Sequence, residues 1–255
     1  MLESKIFNNK VINKGYFLPT LNLAGSEQMA LDDLLLEKAM TNIDFSLALR
    51  FYYWKEPCLS IGKNQKTIPK RWQELSSEKR IQIIRRPSGG NAVLHGGGIT
   101  YSLIWLYPPR KKHQAYELAS QWLIEGFSEL GIPLKFGQQL SNPLEKNCFS
   151  TSTSADLVDL NGEKRIGSAQ LWRKGNLLQH GEILLDPPNE LWMDIFHTKA
   201  PKPAESSIPR KGLDKVLKKS CQTYWSKINW QEEIITKEEL EQIASRKNKY
   251  VINAN

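Results

Sequence analysis

Fourteen consecutive residues hold five glycines, two arginines, a serine and a histidine: Arg85-Arg86-Pro87-Ser88-Gly89-Gly90-Asn91-Ala92-Val93-Leu94-His95-Gly96-Gly97-Gly98. A helix cannot run through this stretch, because each interior glycine costs about 1 kcal/mol and Pro87 has no amide to donate. It must be a loop that joins two strands. Gly89-Gly90 lets backbone amides approach an anionic or carbonyl group closely. Arg85 and Arg86 stand just before it, Ser88 adds a hydroxyl, and His95 follows on the next strand. A lone Gly-Gly with two arginines would read as a tight surface turn. The density of chemistry here points instead to a site. The spacing matches neither a Walker loop nor a dinucleotide-binding fingerprint.

Around this loop the chain alternates helix and strand patterns. Gly25-Ser26-Glu27-Gln28 opens a helix whose Leu31, Leu34, Leu35 and Ala39 share a face. Leu47 to Trp54 is dense in aromatics and short enough for a strand. Pro57 breaks it, and Cys58 to Gly62 resumes a strand. Ile81 to Arg85 and Ile99 to Leu106 are two more, on either side of the glycine loop. Tyr116, Ala119, Leu123, Phe127 and Leu130 lie on one helical face that ends at Gly131. Leu157 to Gly167 reads as a hairpin turning at Asn161-Gly162, a pair suited to positive φ. Leu177 to Leu185 is a further strand. Beyond about residue 190 the chain reads as helical and lysine-rich, and Thr236-Lys237-Glu238-Glu239 has capping-box spacing. The expected fold is α+β, with a mixed or antiparallel sheet. Residues 1–190 form the expected catalytic domain and 191–255 a helical C-terminal extension.

Composition narrows the function classes. A 40% hydrophobic, 24% charged chain of 255 residues can bury a sizeable core. No apolar run approaches the roughly 20 residues of a membrane span, and the first residues lack a signal-peptide pattern, so a cytoplasmic location is expected. Cys58, Cys148 and Cys221 are widely spaced and odd in number, which reads as free thiols and not a disulfide framework. No Cys/His cluster has metal-site spacing, so no metal is expected. The net charge of +8 suits an acidic partner. Lysine and arginine are not gathered in one block with interleaved aromatics, which disfavours nucleic acid.

Two further blocks carry candidate site residues. In Lys164-Arg165-Ile166-Gly167-Ser168-Ala169-Gln170, the small Gly167 and Ala169 leave room for a ligand against a strand. Lys164 taken alone reads as a solvated lysine at a hairpin tip. In Gln179-His180-Gly181-Glu182, His180 reads first as a structural histidine. In order and spacing, the Glu27 to Asp32 helix, Arg50 to Trp54, the arginine–glycine loop, Lys164 to Gln170 and Gln179-His180-Gly181 together resemble the biotin/lipoate A/B protein ligase superfamily. Its enzymes attach lipoate or octanoate to carrier-protein lysines. The resemblance runs from about Ser26 to Asp186. It implies a mixed, largely antiparallel sheet flanked by helices, of the kind shared by class II aminoacyl-tRNA synthetases and biotin ligases.

Two chemistries are run on that fold. Lipoate–protein ligases activate a free acid with ATP and Mg. Octanoyltransferases need no cofactor and carry the acyl group on a cysteine as a thioester. Cys148, in Asn147-Cys148-Phe149-Ser150, resembles the cysteine of the transferases, and Lys164 matches the lysine paired with it. A thiolate is the nucleophile, and a nearby ammonium favours it. Cys58 and Cys221 read as inert. In the ligases a third glycine stands where this chain has Asn91; the Ile99-Thr100-Tyr101-Ser102 ending resembles the transferases. The resemblance therefore implies an octanoyl-[acyl carrier protein]:protein N-octanoyltransferase. Cys148 and Lys164 are its expected catalytic residues. Arg86, Ser88, Gly89, Gly90, Asn91, Val93 and His95 shape the acyl and carbonyl site, and Gly167 and Ala169 line the acyl slot. Expected partners are octanoyl-acyl carrier protein and a lipoyl carrier domain, either a glycine cleavage H protein or an E2 subunit. The alternatives are an ATP-dependent lipoate–protein ligase, an amidotransferase between carrier proteins, and a non-catalytic carrier-binding relative.

Overall fold

The computed structural model describes residues 14–42, 45–137, 155–204, 208 and 211–252. Two short strands, β1 (Lys14–Phe17) and β2 (Leu21–Leu23), lead into α1 (Gly25–Thr41). Glu27 ties down the start of α1 by accepting from the Ala24 amide (3.1 Å), which satisfies one of the donors a helix start leaves free. Then come β3 (Phe45–Trp54), β4 (Cys58–Ile61), α2 (Lys70–Ser77), β5 (Gln82–Arg85), β6 (Val93–His95) and β7 (Gly98–Trp105). The amphipathic helix is α3 (Lys112–Glu129), ended by Gly131 at φ +76°. After it lie β8 (Lys135–Phe136), β9 (Leu157–Val158), β10 (Lys164–Arg173) and β11 (Asn176–Leu184). The chain closes with α4 (Asn189–Phe196), α5 (Leu213–Tyr224), β12 (Asn229–Glu232), α6 (Lys237–Arg246) and a 3₁₀ turn, Lys247–Lys249.

The main sheet runs β12-β1-β3-β7-β11-β10-β9-β8, with β2 also paired to β3. It is mixed: β1 is parallel to both β12 and β3, whereas β3, β7, β11, β10, β9 and β8 pair antiparallel in succession. The expected α+β class with a largely antiparallel sheet is what the chain adopts. A second, three-stranded sheet, β5-β4-β6, carries the glycine loop between β5 and β6. Helix α3 buries Trp122, Leu123 and Phe127 in a core on one face of the main sheet, and α1 fills the opposite face with Leu31, Leu34 and Leu35. The Asn161-Gly162 hairpin forms as read, with Gly162 at φ +82° and β9 antiparallel to β10.

The stretch after residue 190 contains a strand as well as helices. β12 extends the main sheet beside β1, stacking Trp230 on Phe17 at 4.3 Å. As an edge strand with exposed residues on both sides, it lacks the apolar alternation by which a sequence announces a strand. Helix α6 and the 3₁₀ turn then bind back onto α1 through Lys38–Glu239 (2.9 Å), Lys247–Glu27 (3.0 Å) and Arg246–Glu37. The backbone beyond reaches the second sheet: the Arg85 amide donates to Tyr250 O, and the Ile252 amide to Ile83 O. Thr236 caps α6 as read, accepting from the Glu239 amide (3.2 Å) while Glu239 accepts from the Thr236 amide (2.8 Å). Thr236→Ala is expected to cost about 1 kcal/mol, measured as a shift in the urea midpoint at unchanged slope.

Candidate active site

The site begins as two rows of residues running across the main sheet. Register places Arg50, Ser102, His180 and Ala169 side by side on β3, β7, β11 and β10. Two residues along each strand, Tyr52, Thr100, Glu182 and Gly167 form the next row. Side chains two apart share a face of a sheet, so both rows face the same way. Each row carries polar side chains on β3, β7 and β11 and ends in a small residue on β10. That taper leaves a cleft between the main sheet, α1 and the second sheet. About 440 Å³ of space lies between its walls, part of it open to solvent.

Most of the wall is apolar or aromatic. Met29 comes from α1, Tyr52 and Trp54 from β3, and Val93 from β6. Gly167, Ser168 and Ala169 supply the β10 side, and Gly181 the β11 side. The polar groups converge from several elements: Ser60, Arg86, His95, Thr100, His180 and Glu182. They bond to each other, to backbone and to the side chains of Asp32, Trp54 and Ser88.

The first row holds a buried ion pair. Arg50 and Asp32 have side chains 1% and 0% exposed, with Nη2 2.7 Å from Asp32 Oδ1. Arg50 Nε donates to the same oxygen (2.9 Å), Nη1 to Gln28 Oε1 (2.6 Å) and Nη2 to Gln28 O (2.9 Å). The other carboxylate oxygen of Asp32 accepts from His180 Nδ1 (3.1 Å), and His180 Nε2 meets the Ser88 hydroxyl at 2.6 Å. Burial alone would raise the Asp32 pKa, but the Arg50 charge and the His180 bond outweigh it and hold the carboxyl below its ordinary 3.8.

The second row holds a parallel chain. Trp54 Nε1 donates to Thr100 Oγ1 (2.7 Å), and the Thr100 hydroxyl donates to Glu182 Oε2. The same oxygen accepts from His95 Nδ1 (2.8 Å), and His95 Nε2 meets Ser60 Oγ at 2.8 Å. Trp54 stacks on the His95 ring at 3.9 Å. Burial pushes the His95 pKa down, and the neighbouring Glu182 only partly restores it, so the ring is neutral at pH 7.

The glycine loop is braced from within. Arg86 is buried and directs its guanidinium at carbonyls: Nη1 to Ser60 O (2.8 Å), Nη2 to Gly89 O (2.7 Å) and Nη2 to Asn91 O (2.7 Å). The loop packs against the end of β4 so closely that a Cβ on Gly62 would lie 1.9 Å from Gly90 O. Gly90 itself sits at φ +91°, a conformation natural to glycine.

Of the sequence-derived residues, Arg86, Gly90, Val93, His95, Gly167 and Ala169 line the cleft. Ser88, Gly89 and Asn91 belong to the loop behind it, where they bond His180 or Arg86. Lys164 is not a solvated hairpin-tip lysine. It is 4% exposed and paired with Asp156 at 2.9 Å, and it is not among the described residues that line the cleft. Cys148 lies outside the described residues. Cys58 and Cys221 are buried, and burial pushes both thiols well above their ordinary range, which disfavours the thiolate form. Sequence reading passed over Glu182, Ser60 and the Asp32–Arg50 pair as site residues. A buried strand carrying Arg or Glu is the available signal, since such groups are seldom buried unpaired.

Residues 24–222 match the model of the lipoyl protein ligase A/B catalytic domain. The chain belongs to this family. The octanoyltransferase LipM of Halalkalibacterium halodurans is 36% identical over 66% of this chain and 65% of its own. Its counterpart in Geobacillus kaustophilus is 36% identical over 73% and 69%, and that of Lysinibacillus sphaericus 34% over 79% and 76%. The match thus spans between 65% and 76% of the length of these relatives. Among solved structures, a lipoate-protein ligase A bound with ATP superposes with a TM-score of 0.72 at 17% identity, covering 92% of this chain and 95% of that one. A putative lipoate protein ligase from T. acidophilum with bound lipoic acid gives 0.71 at 17%, with the same coverage. These two show the shared fold.

Arg50→Met is expected to destabilise the protein by roughly 3–5 kcal/mol, because it strands a buried carboxylate. Because Asp32 is more acidic folded than unfolded, its contribution is present at neutral pH and is lost as pH falls through and below 3.8. Urea titrations of wild type and Arg50→Met between neutral and acid pH check both points: the wild type must lose more stability than the variant over that interval.

Proposed function

We propose that the protein is an octanoyl-[acyl carrier protein]:protein N-octanoyltransferase in lipoate assembly. The observation that carries the reading is the narrow, mostly apolar cleft, walled by Gly167 and Ala169 on one side and by the glycine loop on the other. It suits a thin acyl chain. Relatives named octanoyltransferase support it, at 34–36% identity.

In this reading Cys148 attacks the octanoyl thioester. The new C–S bond forms as the carrier's thiolate leaves, and the Lys164 ammonium stabilises the attacking thiolate. A carrier-domain lysine amine then attacks the enzyme thioester and releases Cys148. Exchange of one thioester for another is nearly isoenergetic, and amide formation is downhill, so the sequence needs no nucleotide and no metal. The engagement of Arg86 with the carbonyls of Ser60, Gly89 and Asn91 supports this, since those donors brace the loop and are not held out toward a phosphate. The acyl donor is octanoyl-acyl carrier protein. The acceptor is a lipoyl carrier domain, as in a glycine cleavage H protein or an E2 subunit. Such carriers are commonly acidic, and the +8 charge would speed their encounter.

The test is incubation with octanoyl-acyl carrier protein in the absence of ATP, followed by intact-protein mass spectrometry. An octanoyl adduct is expected on the wild type and should vanish in Cys148→Ala. ATP-dependent lipoylation that survives Cys148→Ala, with no adduct, would identify a ligase instead. Ala169→Phe fills the slot and is expected to lower adduct formation by roughly a hundredfold, with Cys148 alkylation by a small reagent unchanged.

A further inference from the structure

The two histidine chains are built alike. Asp32, His180 and Ser88 form one, and Glu182, His95 and Ser60 the other. They differ in where they end. Ser88 stands behind the wall of the cleft, whereas Ser60 is part of it.

The proton positions in the second chain follow from the donors. The Glu182 carboxylate can only accept, so His95 Nδ1 carries the hydrogen that bridges them at 2.8 Å. Neutral His95 then presents a bare Nε2 to Ser60 Oγ, also at 2.8 Å. Arg86 Nη1 donates to Ser60 Oγ at 3.2 Å, which leaves the hydroxyl proton directed at His95. A hydroxyl, a neutral imidazole of fixed tautomer and an orienting carboxylate are the parts of an activated serine, recognised by geometry and not by order in the chain. Here they come from β4, β6 and β11. All three are buried and line the cleft, with the Arg86 guanidinium bonded to Ser60.

We infer that Ser60 is a second acyl acceptor and that the protein hydrolyses acyl thioesters independently of Cys148. The inference rests on the reading of the cleft as an acyl site. The Ser60 hydroxyl adds to the thioester carbonyl while His95 Nε2 takes its proton. The C–S bond breaks, and His95 returns the proton to the departing thiolate. Water then attacks the Ser60 ester with His95 again as base. The C–Oγ bond breaks, Ser60 regains its proton and the fatty acid leaves. Glu182 is the positioning residue that keeps Nε2 free, and Arg86 fixes Ser60 by donating to its carbonyl and hydroxyl oxygens. The consequence is a slow drain that clears acyl groups from the cleft when no acceptor lysine arrives.

The experiment uses the full chain carrying Cys148→Ala, with two probes: a fluorophosphonate and the octanoyl thioester of pantetheine. The fluorophosphonate is expected to label Ser60 and to leave Ser88 unlabelled, as located by peptide mass spectrometry. The thioester is expected to be hydrolysed, with an acyl adduct on Ser60 that resists neutral hydroxylamine as an oxygen ester does. Adding Ser60→Ala or Glu182→Gln should lower hydrolysis by roughly a hundredfold, with thermal unfolding confirming that both variants are folded. Absence of label on Ser60, or hydrolysis unchanged by Ser60→Ala, overturns the inference. Labelling needs no octanoyl group, and the Cys148→Ala chain retains His95, Glu182 and Ser60. It therefore reads the serine chemistry even where wild-type Cys148 takes up no octanoate, a result that sinks only the transferase reading.

Discussion

The Asp32–Arg50 ion pair sits where the rest of the site is assembled. Both side chains are almost wholly withdrawn from water, and burying two charges is costly unless their hydrogen-bonding capacity is filled. Here it is filled by neighbours that belong to different parts of the fold. Arg50 on β3 grips Gln28 and Asp32 on α1, and Asp32 reaches through His180 on β11 to Ser88 in the glycine loop. One bonded series therefore fixes the helix that roofs the cleft, the sheet that floors it and the loop that edges it. Met29, one residue from Gln28, inherits its place over the cleft from that grip. An apolar replacement could fill the same volume, but it would leave α1 free to turn relative to the loop.

The cleft itself is a consequence of sheet geometry. Polar side chains at Arg50, Ser102 and His180 and at Tyr52, Thr100 and Glu182 stand in two cross-strand rows, and each row runs out at a small residue on β10. A larger side chain at Gly167 or Ala169 would complete the row and close the space. On the same rows, the larger side chains fill the face and the small ones leave the cleft open. The second sheet closes the remaining side. Its position is set by two separate ties: the His95–Glu182 and Ser88–His180 bonds to β11 of the main sheet, and the C-terminal backbone that pairs with Ile83 and Arg85. The helices after residue 190 thereby bear on the site without contributing a side chain to its wall among the described residues.

Much of this was legible in the chain because local physics signals it locally. The glycine loop excludes helix by propensity, the Asn161-Gly162 pair names its turn, and the apolar spacing of α1 and α3 names their faces. Strand β1 and the edge strand β12 beside it were not legible, being short and half-solvated, with parallel partners far away in sequence. The histidines illustrate the same limit. His180 read as structural and His95 as part of the site, yet each bonds one carboxylate and one serine. Their partners lie between 35 and 148 residues away, so no spacing rule could connect them. Lys164 was misleading by itself for a related reason: its burial depends on Asp156 and on the β9–β10 pairing, not on its neighbours in the turn.

The arginine of the glycine loop shows why a motif and its chemistry have to be separated. Two arginines beside paired glycines suggest a cradle for an anion, and from the sequence that is the economical reading. In the folded chain Arg86 turns inward and donates to the carbonyls of Ser60, Gly89 and Asn91, while Arg85 holds the carbonyls of Gly62 and Gln65. A loop with so many glycines has little intrinsic preference for one shape, and a planar guanidinium with five donors is suited to gathering carbonyls into a fixed arrangement. The arginines make the glycines usable: the loop gains a defined edge against Ser60 and His95 without side-chain bulk. Conformational freedom in the glycines and rigidity from Arg86 together produce a thin wall, and a thin wall is what lets a cleft of this size lie directly against the buried His95–Glu182 pair.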